Sequence, residues 1–331
     1  MRESSLFHRF LLKGSQIISD GQIIQSVKNI TFNGNLDNIS RTQEYLNFYL
    51  LYPEIKWAFL ASMVSRNAGW NMCDLKGPTF PKMVNDKIRK RLFLTYERAN
   101  WLIFQDAFPQ LLLYHYSTIY NRPLFHLLKE FYVSKFMEQE WKIFYEKKDC
   151  IRLMISLIIN EQNIIQQPII KHPLYKKRIF SSLIFKFQEL FHFSCVVFPT
   201  MNGELYGSSV VNFRKVDERI ELGKRLSSIL FNYDLFPKFL SFALNNKHTG
   251  SRNDYEQFLR LEKGAGTPYL REVYPIVKHH NRKHEDWSMK ISINSEWLKM
   301  NNLDDLYEIS EWFLQKQTQI QQLSRFMHFF V

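Results

Sequence analysis

Only three cysteines occur in 331 residues: Cys73, Cys150 and Cys195. Odd in number, far apart and without a CxxC pair, they exclude both a disulfide framework and a zinc ribbon, and fit a reducing cytosol. Glycine and proline are scarce, 11 of each, which argues against a turn-dense all-β chain. Long apolar runs are missing as well. The most apolar stretches, Met154 to Ile159 and Phe193 to Pro199, fall far short of the ~20 residues of a membrane-spanning helix. Near the N-terminus, Glu3, His8, Arg9 and Lys13 interrupt what would be the core of a signal peptide. The expectation is therefore a cytoplasmic protein without a transmembrane segment, in which the glycosylation-type triplets at Asn29 and Asn38 are chance matches.

What is abundant is aromatic and basic. Apolar residues make up 45% of the chain and aromatics 16%, with 29 Phe, 16 Tyr and 7 Trp, so large rings must fill much of a substantial core. Lysine and arginine number 44 against 32 acidic residues, a formal charge of +12 with a pI near 9.4. That balance favours anionic partners: nucleic acid, phosphorylated metabolites or acidic headgroups.

Periodicity predicts a mostly α-helical protein, an irregular multi-helix domain with a small β or irregular excursion near residues 195–213. Residues 1–40, rich in Asn and Ser, read as a short helix and a loosely ordered segment; 41–331 reads as one large domain with possible halves 41–167 and 174–331. Tyr45, Leu46, Tyr49 and Leu50 repeat at helical spacing, as do Ile55, Phe59, Leu60, Met63 and Val64 after Pro53. Gly69 is placed to end that second helix in a left-handed cap. Ile88 to Ile103 forms a further helix, Pro109 is expected to begin another, and Pro123 a longer one reaching Tyr145. Helix is expected again at 150–159, 216–231, 237–244 and from about Leu303 onward. Around Val196, Val197, Gly203, Gly207 and Val210 the pattern allows a short hairpin.

Two segments concentrate polar chemistry. Within Ala61 to Pro81, around Gly69 and before Gly77-Pro78, the residues Arg66, Asn67, Asn71, Asp74 and Lys76 crowd around Trp70. Their side chains can donate to an anion, with Asp74 as an orienting group or proton acceptor and Trp70 as a wall; equally, Asp74 can pair with Arg66 or cap a helix while Trp70 fills the core. The second segment holds Lys247, His248, Arg252 and Tyr255 in a turn leading to a helix start, where a phosphate could lie or where capping alone suffices. Lys87, Arg89, Lys90 and Arg91 form the densest basic run, a solvated helix face or a set of phosphate-backbone contacts. Cys73 has no identified histidine partner and is not read as a nucleophile. His279, His280 and His284 sit among Lys278, Arg282 and Lys283, which repel a cation, so no metal is expected. The run Leu261 to Pro268 lacks phosphate-loop spacing. No cofactor follows from the sequence.

The strings Ser65-Arg66-Asn67-Ala68-Gly69-Trp70-Asn71-Met72, Asp74-Leu75-Lys76-Gly77, Gly250-Ser251-Arg252-Asn253-Asp254-Tyr255 and Leu270-Arg271-Glu272-Val273-Tyr274-Pro275 resemble the YppC-like family of Bacillus and its relatives. The resemblance covers most of the chain from about Arg41. It implies a bacterial, soluble, cytoplasmic protein and brings no reaction, ligand or catalytic residue with it. Three functions are compatible with these residues: recognition of an anion, nucleic acid foremost, in a cleft shared by the two polar segments; an enzyme with Asp74 as general base and Arg66 and Lys76 as electrostatic stabilisers; and a helical interaction scaffold in which both segments are structural.

Overall fold

The computed structural model describes residues 19–171, 195–209, 214–259, 264, 266–280, 285–300 and 308–327. Outside them lie the helix expected near the N-terminus, residues 210–213 of the excursion, Arg260, Lys263, Arg282, Lys283, His284, and the expected helix start at Leu303. The architecture is mostly α-helical with one small antiparallel sheet.

Helix α1 spans Asp20–Gly34, in a region where the weak periodicity suggested loose order. Ser19 and Gln22 close a capping box at its start, and Ile23, Val27 and Ile30 bury one face. Helix α2 spans Asn38–Leu51 behind the Asp37 cap. Helix α3 runs unbroken over Lys56–Asp74. Gly69 is therefore interior to α3, a correction to the expected stop: one glycine costs a helix only ~1 kcal/mol, less than the contacts its neighbours make. Helix α4 spans Asp86–Ile119 with Pro109 inside it, another correction. A single missing N–H did not end a helix whose residues Phe104, Phe108, Leu111 and Leu112 are fully or almost fully buried. After Pro123, the expected long helix divides into a 3-10 segment, Phe125–Phe131, and α5, Lys135–Lys147. Tyr132, left-handed at φ 61, separates them.

Helix α6 spans Cys150–Ile165 and continues as one π-helical turn. Strands β1, Cys195–Pro199, and β2, Leu205–Ser209, pair from Cys195↔Ser209 to Pro199↔Leu205. The hairpin depends on glycine: at Gly207 an added Cβ would fall 2.1 Å from the Val196 carbonyl oxygen. Helices α7, Val216–Leu230, α8, Phe236–Asn245, and α9, Ser310–Met327, follow.

The chain forms two compact units, each drawn from three stretches. One comprises Met1–Ser62, Ala99–Ile165 and Ile276–Met300. Its core is aromatic: Tyr45 meets Trp57 edge-on at 5.4 Å, and Trp141 stacks on Phe125 at 5.5 Å. A buried polar relay crosses this core. Trp287 and Ser134 donate to Asn160, Trp141 donates to Gln110, and both amides donate to Asp106 Oδ2. The other unit comprises Met63–Arg98, Gln166–Pro275 and Asn301–Val331, and carries both polar segments.

Candidate functional site

On α3, positions 66, 70 and 74 follow one another at four-residue spacing, and 67 and 71 lie beside them, so all five share a helix stripe. Together they reach three parts of the second unit: the end of α8, strand β1 and the turn that holds Arg252 and Asp254. Arg66 donates to the carbonyls of Asn246 and Ala243, both at 2.9 Å. It thereby places a cation on the carbonyl end of α8, where the helix dipole is negative. Burial pulls its guanidinium down to about 10 while Asp254 pulls the other way, and its Nε has no hydrogen-bond partner among the described residues. Asn67 accepts from the Val197 amide and donates to the Val197 carbonyl, both at 2.8 Å. Its carboxamide thus completes the outward hydrogen-bonding edge of β1 much as another strand would.

The Trp70 indole donates to Asp254 Oδ2 at 3.0 Å, and its ring meets Tyr255 at 4.7 Å. Asp254 is the hub. It also takes His248 Nδ1 at 3.0 Å, the Thr249 amide at 3.1 Å and the Thr249 hydroxyl. Burial works against its charge, yet the donors from His248, Thr249 and Trp70 outweigh it and hold the carboxyl below its usual range. Arg252 forms a two-pronged ion pair with Asp74, Nε to Oδ1 at 2.7 Å and Nη2 to Oδ2 at 2.6 Å. The remaining guanidinium donors reach the Tyr255 hydroxyl and, at 3.4 Å, Asn71. Burial opposes its charge as well, but Asp74 and Tyr255 keep Arg252 protonated well above its ordinary value.

The two polar segments therefore meet, and they meet in the interior. Arg66, Asn67, Trp70, Asn71, Asp74, His248, Arg252 and Tyr255 are all buried. Residues 66–74 are a helix stripe, not a loop between breakers. With both oxygens of Asp74 taken by Arg252, the carboxylate is a counter-ion, poorly placed to act as a base. Burial first, then the negative charges of Asp74 and Asp254, push the Cys73 thiol up and leave it unreactive.

The basic candidates are arranged differently. Lys76, Lys87, Lys90 and Lys247 are exposed and Arg91 is half-buried. Arg89 is folded inward onto the carbonyls of Val84 and Leu75, both at 3.0 Å, with Asp86 at 3.2 Å. His279 packs on Trp101, ring centroids 5.2 Å apart. Among the described residues no three His, Cys, Asp or Glu side chains are grouped so as to hold a metal ion, and no helix is long and apolar enough to cross a membrane. Sequence reasoning passed over Asp254 as a site residue; a buried tryptophan's need for an acceptor was the signal available for it.

The fold and these contacts define a mostly helical protein whose second unit is tied by a buried network of ion pairs and amide bonds. The chain belongs to the family described as "Protein of unknown function (DUF2515)", which matches residues 33–320. It is 46% identical over 303 residues to "Uncharacterized protein YppC" of Bacillus subtilis (strain 168), covering 91% of this chain and 94% of that protein. No solved structure matches it.

Proposed function

We propose that the protein binds a phosphate-bearing polymer, nucleic acid, on the exposed basic face formed by Lys76, Lys82, Lys87 and Lys90, and that the buried network is the scaffold holding this face. The observation carrying the reading is a segregation of charge. The interior basic groups Arg66 and Arg252 are bonded to carbonyls and to Asp74, whereas the lysines between 76 and 90 lie on the surface. Across Met63–Arg98 the sequence has eight basic residues (66, 76, 82, 87, 89, 90, 91, 98) against three acidic ones (74, 86, 97). Of these lysines only Lys76 has an ion pair among the described residues, at 3.4 Å from Asp86. Exposed lysines on a helix face suit the phosphate backbone, which needs charge rather than shape. This reading goes with a cytoplasmic location, where nucleic acid is at hand.

Fluorescence anisotropy of labelled DNA and RNA over a salt series tests it. Four phosphate contacts would give a log–log salt slope of roughly −3. Absence of saturable binding at low salt rejects the reading.

A further inference from the structure

We propose that this face takes single-stranded nucleic acid, with the ring of Tyr269 as a stacking platform for an unpaired base. The inference rests on the phosphate-binding reading above and names its substrate class. Tyr269 is 47% exposed and makes no ring contact among the described residues. Its backbone is nevertheless held on both sides. Thr267 accepts the Arg252 amide at 2.8 Å and the Ser251 hydroxyl at 2.7 Å, while the Leu270 amide donates to the Thr249 carbonyl at 3.0 Å. An exposed ring on a pinned backbone loses little conformational freedom on binding, which favours its use as a contact.

Its position follows from the neighbours. A Cβ built on Gly77 would stand 3.3 Å from Thr267 Cγ2, and one built on Gly266 would stand 3.8 Å from Pro78. The segment therefore starts against Gly77-Pro78, next to the exposed Lys76. It ends at Tyr274, which stacks flat on Phe93 at 3.7 Å and donates to the Met72 carbonyl at 3.0 Å. Phe93 lies three residues beyond Lys90 on α4. Tyr269 thus sits on a strap held at its start by Gly77-Pro78, next in sequence to Lys76, and at its end by Met72 and by Phe93, three residues beyond Lys90. Tyr274 uses its ring to anchor that strap, and Tyr269 leaves its ring to solvent. An aromatic face between phosphate-binding lysines is the arrangement that engages single strands, whose base faces are available, and not a duplex, whose base faces are covered.

The test compares the full chain with Tyr269→Ala and Tyr269→Phe against a labelled single-stranded oligonucleotide, its duplex and inorganic polyphosphate. The expected result is tighter binding of the single strand than of the duplex, a loss on the order of ten-fold for the single strand in Tyr269→Ala, retention in Tyr269→Phe, and unchanged polyphosphate binding. Binding of all three probes with no single-strand preference, or equal losses across probes, overturns the stacking role while leaving the basic face intact. Failure of every probe to bind at low salt overturns both. Equal thermal unfolding of the variants shows that the comparison is between folded proteins.

Discussion

Arg252 and Asp74, 178 positions apart in the chain, grip each other through two parallel contacts of 2.7 and 2.6 Å. This is the geometry in which a guanidinium matches a carboxylate best. It joins the end of α3 to the turn before the short helix at Asn253–Glu256. Removing one partner leaves a buried charge without compensation. Arg252→Ala or Asp74→Ala is therefore expected to cost roughly 3–5 kcal/mol, and the double replacement by apolar residues less than the sum. Chemical denaturation of the four proteins of the cycle measures this. Equal and additive losses would show that the pair contributes no coupling.

Gly250 controls the turn that presents Asp254 and His248. It has φ +81, and an added Cβ would stand 2.6 Å from Leu270 Cβ and 3.1 Å from Cys73 Sγ. Gly250→Ala is expected to destabilise by at least ~1–3 kcal/mol through backbone strain and contact together. Gly21, where an added Cβ meets nothing closer than 3.9 Å, provides the control, and Gly21→Ala should hold or raise stability. The two unfolding midpoints decide it.

What could be read from the sequence, and what could not, divides along physical lines. Helical spacing found α2 and α3, and near-continuous apolar character found α6, whose residues Leu153 to Asn160 are all buried, while the scarcity of glycine was enough to expect little sheet. Pattern overstated the breakers. Gly69 and Pro109 are local penalties of a few kcal/mol at most, and the tertiary contacts around them exceed that. The grouping of Arg66, Asn67, Trp70 and Asp74 was visible as a string, but its meaning was not. Their partners, Val197, Ala243, Asn246, Arg252 and Asp254, are remote in sequence, and whether a polar string faces solvent or interior depends on those partners. Tyr269 was invisible for the same reason: exposure is a property of the folded strap.

Trp70 is fully buried, which decides between the two outcomes its sequence context left open. Trp70→Ala is expected to cost on the order of 3–5 kcal/mol, as a large cavity opens and Asp254 loses a donor. Trp70→Phe keeps most of the volume and should cost less, its remaining cost relative to the parent reporting the indole–carboxylate bond. Equal unfolding midpoints for the two variants would assign the whole effect to the lost indole–carboxylate bond, and a Trp70→Phe midpoint equal to the parent's would assign it to volume.

Asp106 makes the first unit sensitive to pH. Burial raises its carboxyl to about 7, against the lowering effect of the hydrogen bonds from Asn160 and Gln110. A folded value above the unfolded one, near 4, means that the folded state binds the proton more tightly. This contribution is fully present below pH ~4 and is lost as pH rises through about 7. Glu161 and Glu44, also raised to about 7 by burial, act in the same direction. His115, lowered to about 4 by burial, acts in the opposite direction and costs stability as pH falls. Asp106→Asn should flatten the fall in unfolding midpoint between pH 5 and pH 8 relative to the parent. An unchanged profile would place the titration elsewhere.

Lys87 and Lys90 lie one turn apart at the start of α4, exposed and without an ion pair among the described residues. Charge reversal at both sites removes attraction and adds repulsion without disturbing any hydrogen bond of the buried network, so it separates binding from folding. Lys87→Glu with Lys90→Glu is expected to leave the unfolding midpoint within about 0.5 kcal/mol of the parent. Polyanion binding should weaken, with the salt slope falling in magnitude by roughly 1.5 to 2 as two phosphate contacts disappear. Lys247→Glu, on the second polar segment, tests how far the surface extends. A reduced slope there would continue the phosphate track past Asn246, and an unchanged one would confine it to residues 76–90. Unchanged affinity and slope in the Lys87/Lys90 double variant would move the ligand off this face altogether, since no other change in the protein accompanies the two substitutions.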